Sequence, residues 1–346
     1  MLLRAPLLLA LLAFAAGCSP TSDGGTGGGS GSTGGSSGTG GSTGTGGGSS
    51  GTGGGSSGTG GGSGTVDADA VCTAWADKMC NKLESCSSFM VRGLYGDLAT
   101  CKARAKVGCV PWFGAPGSAV TAAGTERCGD AFAAMSCDDV ENNVNPIECR
   151  VFGSFANGAT CGDSAQCQSG HCSITQGLCG TCKTRQQAGG FCDIDSNCER
   201  GLICNGGICF APGGTGAPCN MAQPCKNTHA CVNGQCQRYP TVFDAPCDVN
   251  VGCDNFLGLW CNFQTARCDY LQLVASGTCG YNGNTFTLCS RAADCSIPQG
   301  QMLGQCVSPA NDGQTCTTAA PGAFSCFSPG QCISGRCTLP SATFCQ

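Results

Sequence analysis

Four cysteines within eighteen residues, Cys192, Cys198, Cys204 and Cys209, divide the stretch CDIDSNCERGLICNGGIC into loops of five, five and four residues. Gly201, Gly206 and Gly207 fall where loops this short have to turn. The same spacing returns at Cys219, Cys225, Cys231 and Cys236. Looser versions occupy residues 161–179 (Cys161, Cys167, Cys172 and Cys179), 247–268, 279–306 and 316–337. Six copies at a pitch of about thirty residues define a repeat array. A unit this small cannot bury a core of its own, so covalent staples have to replace one. The chain carries 35 cysteines and only 6% aromatic residues, the balance of a disulfide-rich protein made in an oxidising compartment.

Much of the chain's N-terminal part has no core to form. Residues 1–18 place Arg4 before an apolar run that ends at Ala16, too short to span a bilayer and suited to a cleavable signal. Ala15-Ala16-Gly17-Cys18 resembles a bacterial lipobox, with Ala15 where Leu is usual, and makes Cys18 the expected lipidation site and membrane anchor. Lipidation of Cys18 leaves 34 cysteines, an even number that can pair completely. Ser19, with no Asp behind the lipidated residue, resembles the outer-membrane sorting pattern. Residues 19–65 are almost wholly Gly, Ser and Thr and read as a flexible tether with a reach of about 35–40 Å.

Residues 66–150 change to helical spacing. Val71, Trp75, Met79 and Leu83 fall four apart on one face. Asp97 is placed to cap a second helix running to Gly108, and a third is expected over about residues 125–135. Cys72 and Cys80 are eight apart, as are Cys101 and Cys109, so two antiparallel helices could be riveted twice. With Cys86, Cys128, Cys137 and Cys149 the region holds eight cysteines and can close on itself in four bonds. Trp75 and Trp112 read as core.

From residue 151 to the end, connectors rich in Gly, Ala and Pro such as residues 211–217 suit modules that touch only their neighbours in a line. Turns, short two-stranded ribbons and no sizeable helix are expected. Four cysteines per module allow three pairings; first with third and second with fourth is the favoured one. The fold class is therefore small and disulfide-rich, a cysteine-rich α-helical domain followed by a linear array of four-cysteine modules with little regular secondary structure. Cys182 and Cys345 have no place in the repeat.

Several chemistries are poorly supported. Only His171 and His229 are present, each in an array loop beside a cysteine, and both read as exposed loop residues. No zinc-protease, nucleophile-elbow or phosphate-loop motif occurs. Cys179-Gly-Thr-Cys182 has the spacing of a redox dithiol but no strand-helix scaffold around it. Asp193, Asp195 and Asn197 begin like a calcium loop, which Cys198 and Cys204 then break, so turn-stabilising side chains are expected there. No catalytic residue, metal site or cofactor is assigned. Both halves are mildly acidic, eight basic against eleven acidic residues in 66–150 and eight against ten in 151–346, which excludes a nucleic-acid footprint. Lys102, Arg104 and Lys106 read as a solvated helix face.

The later modules differ by insertion. Phe256, Trp260 and Phe263 lie in a lengthened loop of module four, and Tyr281 and Phe286 in one of module five; inserted loops of repeat proteins often bind. These five aromatics are the candidate binding residues, against the reading in which they fill the only core available.

Modules such as GGFCDIDSNCERGLICNGGIC resemble the N-terminal cysteine-rich module of Dickkopf proteins. The whole layout, with its lipobox, tether and Leu94-Tyr95-Gly96-Asp97 stretch, is similar to cysteine-rich lipoproteins of myxobacteria. The resemblance implies architecture and no activity. The expected function is that of an extracytoplasmic, lipid-anchored, non-catalytic binding or structural module at the outer membrane or cell surface, with an extracellular protein or glycan as partner. An inhibitor of secreted hydrolases, or an enzyme with its site in the helical domain, are the alternatives.

Overall fold

The computed structural model describes residues 67–174, 179–220, 223–317, 326–339, 341 and 345. The signal, Cys18 and tether expectations lie outside the described residues. Helix α1, Ala68–Cys86, starts where Asp67 accepts hydrogen bonds from the N–H groups of Asp69 and Ala70. Its Trp75, Met79 and Leu83 are buried as the four-residue spacing requires, while Val71 is half-buried. Burial of such side chains stabilises by about 1.5–3 kcal/mol each. Ser87 stops α1 in an extended conformation, and its hydroxyl accepts from Met90 N to cap α2, Ser88–Tyr95, a helix the spacing did not reveal. Helix α3, Leu98–Cys109, begins on the expected cap, Asp97 accepting from Thr100 N at 2.6 Å.

The two rivets form: Cys72 bonds Cys109 and Cys80 bonds Cys101, first to last, which makes α1 and α3 antiparallel. Helix α4, Ala122–Ala134, starts three residues before the expected position, because Thr121 caps it through Gly124 N. A short α5, Cys137–Glu141, follows. The Cys86–Cys137 and Cys128–Cys149 bonds complete the four, and Trp75 and Trp112 are both core.

Each module is built on one antiparallel ribbon in which the third and fourth cysteines stand directly opposite. The pairs are Cys204 with Cys209, Cys231 with Cys236, Cys261 with Cys268, Cys295 with Cys306 and Cys332 with Cys337. Each of these two cysteines takes its partner from the segment ahead of the ribbon, so the first bonds the third and the second bonds the fourth. Cys192–Cys204 and Cys198–Cys209 are the pattern, repeated at Cys219–Cys231 and Cys225–Cys236 and in the three later modules. Module five widens to a five-stranded sheet.

Module one corrects the expected cysteine order. Cys182, not Cys179, stands opposite Cys172 in the ribbon, so Cys182 is the fourth cysteine and bonds Cys167, while Cys161 bonds Cys172. Cys179 is thereby released to bond Cys345, 166 residues away. All 34 cysteines after Cys18 are paired in seventeen disulfides, and such a set belongs to an oxidising, extracytoplasmic environment.

The modules follow one another along the chain but do not touch only their neighbours. Phe256 of module four and Phe327 of module six are buried in the same core as Trp75, Met79 and Phe89. Module five donates Arg291 N and Ala292 N to the carbonyls of Arg92 and Gly93, closing the last turn of α2. Module three meets α5 through Lys226 and Arg238 on Asp138. Gly258 shows how close the approach is: at φ +77° it holds a conformation that favours glycine, and a Cβ there would stand 2.5 Å from the Phe89 ring.

The expected solvated face of α3 is corrected by the same packing. Arg104 donates to the carbonyls of Ser328 and Phe327 and pairs with Asp312, with its side chain only 13% exposed. Lys102 and Lys106 pair with Asp77 and Asp69 of α1. A guanidinium has five donors to place, and docking module six on α3 supplies the acceptors.

Candidate functional site

The five candidate aromatics separate into three groups. Phe256 is corrected from binding residue to core: it is 4% exposed, on a 3-10 turn Asn255–Leu257 whose cap, Asp254, accepts from Phe256 N at 3.0 Å. The Ser87 hydroxyl donates to its carbonyl and fixes the turn on the helical domain. Trp260, Tyr281 and Phe286 come together at the joint of modules four and five. The Trp260 ring is edge-on to Tyr281 at 5.6 Å and tilted against Phe286 at 5.9 Å, and all three are half-buried. Strand alternation explains it: Leu259 and Cys261 point into module four, so Trp260 between them points out, onto module five. Its indole N–H is buried with no hydrogen-bond partner among the described residues. Phe263 alone stays open, 59% exposed.

The same module carries an aromatic pair that the loop insertions did not flag. Phe243 and Tyr270 stack with ring centroids 5.1 Å apart and planes within 8°, and they are 53% and 59% exposed. Tyr270 ends the ribbon strand Arg267–Tyr270, and Phe243 enters the module four residues before Cys247. Both lie outside the cysteine-bounded loops, which is why the spacing passed them over. Their position two and four residues outside the bounding cysteines was the available signal.

Both histidines are buried, which corrects the expectation of exposed loop residues. His171 is 1% exposed, and burial, then the cations of Arg185, Arg150 and Lys183, push its pKa down to about 4. His229 lies between two hydroxyls, its Nε2 2.8 Å from Thr215 Oγ1 and its Nδ1 2.9 Å from Thr228 Oγ1, with its pKa lowered by burial first. Neither is placed as a base beside a nucleophile with an orienting carboxylate bonded behind it. Module size is the reason: in a unit this small a planar ring is one of the few side chains that can fill the space under a ribbon.

Carboxylates are buried at two places. Asp163 caps the 3-10 turn Ser164–Gln166 through Ala165 N, and its burial pushes its pKa up to about 7 against that hydrogen bond. Glu141 of α5 accepts from Arg238 at 2.9 Å; burial, then the nearby Asp254 carboxylate, push it up to about 7. Asp254 is raised by burial as well. The Arg238 guanidinium bonds both Glu141 and Asp138.

The remaining motifs resolve into structure. Cys179 and Cys182 bond different partners and so form no dithiol with each other. Asp195 accepts from Cys204 N at 2.6 Å and Asn197 donates to Ser173 at 3.2 Å, tying the loop of module two to its own ribbon and to module one. The cysteine sulfurs close enough to share a metal ion are those of the disulfides. No helix among the described residues is long and apolar enough to cross a membrane. No protein-family model matches the chain, and comparison with curated proteins and with solved structures gives no significant match.

Proposed function

We propose that the chain is a non-catalytic binding protein of the cell envelope, anchored by lipid at Cys18 and held off the outer membrane or cell surface by the tether of residues 19–65. Its partner is an extracellular protein or glycan. The observation that carries the reading is the open Phe243–Tyr270 stack. Two large rings more than half exposed, one ending a ribbon stapled by Cys247–Cys261 and Cys253–Cys268 and the other stacked on it from the turn that enters the module, are pre-ordered anchors. Large aromatics dominate interface hot spots, and a ring held rigid before binding loses little entropy on contact. Phe263, also exposed, stands at the turn end of the same ribbon, away from the stack.

The test is sedimentation of the full-length mature protein, without its lipid, with isolated cell envelopes. Phe243→Ser combined with Tyr270→Ser is expected to lower envelope binding at least about tenfold, about 1.4 kcal/mol or more, with all disulfides formed. Equal binding by the double variant would overturn the reading. The anchor is tested separately: Cys18→Ser is expected to move the protein from the membrane fraction to the soluble one without loss of fold.

A further inference from the structure

A second feature lies on the helical domain, away from the aromatic stack and independent of it. Between the Trp75 face of α1, the first turns of α4 and residues 148–152 there is a cleft of about 230 Å³. Its apolar lining is made by Trp75, Val120, Val151 and the Cys128–Cys149 bridge, with the exposed Phe152 ring at its edge. Its rim carries three charges, Arg127 on α4 and, on the facing segment, Glu148 and Arg150, the last already paired with Glu199 and donating to the Ser169 carbonyl.

Arg127 and Glu148 are uncommitted. Lys78, Lys102, Lys106, Arg104 and Arg150 all have carboxylate partners. Neither Arg127 nor Glu148 has an ion pair or side-chain hydrogen bond among the described residues, and they do not pair with each other. The Arg127 guanidinium lies beside Gly124 in the lining: its Nη2 is 4.0 Å from where a Cβ on Gly124 would stand, and Thr121 Oγ1 is 3.0 Å from the same point.

A purely apolar guest would desolvate Arg127 and Glu148 without bonding either. A simple anion would satisfy Arg127 and meet Glu148. A molecule carrying both charges next to an apolar body satisfies these two groups and the apolar lining together, with charge-assisted hydrogen bonds at each end. The volume falls just below the 300–1,000 Å³ of usual ligand sites, which limits the guest to about a dozen non-hydrogen atoms.

We propose that this cleft binds a small apolar zwitterion, a free hydrophobic amino acid, with its α-carboxylate on Arg127, its ammonium on Glu148 and its side chain against Trp75, Val120 and Val151. The site is a binding site and has no part in covalent chemistry.

The experiment is calorimetric titration of the full protein with three probes: L-phenylalanine, 3-phenylpropanoate, which lacks the ammonium, and phenethylamine, which lacks the carboxylate. L-phenylalanine is expected to saturate, and each truncated probe to bind at least about tenfold more weakly. Arg127→Gln and Glu148→Gln, both at exposed positions, are expected to keep the fold and each to weaken L-phenylalanine at least about tenfold. Failure of L-phenylalanine to saturate at about 20 mM, equal binding of either truncated probe, or wild-type affinity in both variants would overturn the proposal.

Discussion

In the helical domain, four disulfides run through a core that also holds Trp75, Met79, Leu83, Val91, Leu94 and Phe132; in module two, the buried core is Cys192, Cys198 and Cys209, with Leu202 and Cys204 at its edge. The bond is the same and its job differs. In the first region apolar burial already favours the compact state, and the disulfides fasten helices that would pack anyway. In the second there is almost no apolar area to bury, so restriction of the unfolded chain has to supply most of the stability. The boundary between the two is also informative, because Phe256 and Phe327 from the modules finish the helical core. The array is stapled locally and packed globally.

The largest expected effect tests that boundary. Phe256→Ala removes a buried ring from the helical core and is expected to cost about 4 kcal/mol, read as a lower unfolding midpoint of the helices by far-ultraviolet circular dichroism. Phe263→Ala, at an exposed position of the same module, is expected to shift stability by less than about 0.5 kcal/mol. Equal behaviour of the two would show that the helical core is complete without module four.

Removing one staple from each region sharpens the contrast. Cys198→Ala with Cys209→Ala is expected to cost about 3 kcal/mol, more than module two can lose and stay folded. Cys80→Ala with Cys101→Ala costs a similar amount in a domain that has packing to spare. Hydrogen exchange resolved by segment is the measurement: residues 192–209 should exchange freely in the first variant, and α1 and α3 should keep their protection in the second. Protected amides in module two would break the comparison.

The smallest effect concerns pH and lies within module one. Asp163, raised to about 7, binds its proton more tightly when folded, so its contribution is full below the ordinary carboxylate range and is lost as pH rises through about 7. His171, lowered to about 4, acts the other way: its contribution is present above its ordinary value near 6.5 and is lost as pH falls towards 4. Between about pH 4 and 6.5 the two oppose each other. Asp163→Asn keeps an acceptor for Ala165 N and removes only the titration. The variant is expected to be more stable than the wild type at pH 8 and to lose stability from pH 6.5 to 4, where the wild type stays level. Proteolytic nicking of residues 161–182 against pH checks it; an acid-stable variant would show that His171 is not held neutral by the fold.

How far the fold was legible depended on whether a local period spoke for a residue. Cys72, Cys80, Cys101 and Cys109 declared their bonds because eight residues return a helix close to the same face. Helix α2 was not visible, since its eight residues are too few to show a period and Gly93 interrupts them. The candidate aromatics of module four shared one lengthened stretch, and nothing local separated Phe256, which turns into the helical core, from Trp260, which turns onto module five. The Phe243–Tyr270 pair was missed because its members are 27 residues apart and meet only when the ribbon forms.

The sequence by itself determined the helical domain and the six modules of four cysteines, and it favoured first cysteine to third and second to fourth among three pairings. Those features follow from spacings shorter than a module, which chain geometry alone constrains. Only the tertiary structure decided that Cys182 displaces Cys179, that Cys179 reaches Cys345, that Arg104 docks module six, and that Phe256 belongs to the helices. Each of those is a meeting of residues about a hundred or more apart, or a choice made by such a meeting. Loop-closure entropy grows so slowly with length that spacing carries almost no information about which distant partner a residue will find; complementary surfaces make that selection.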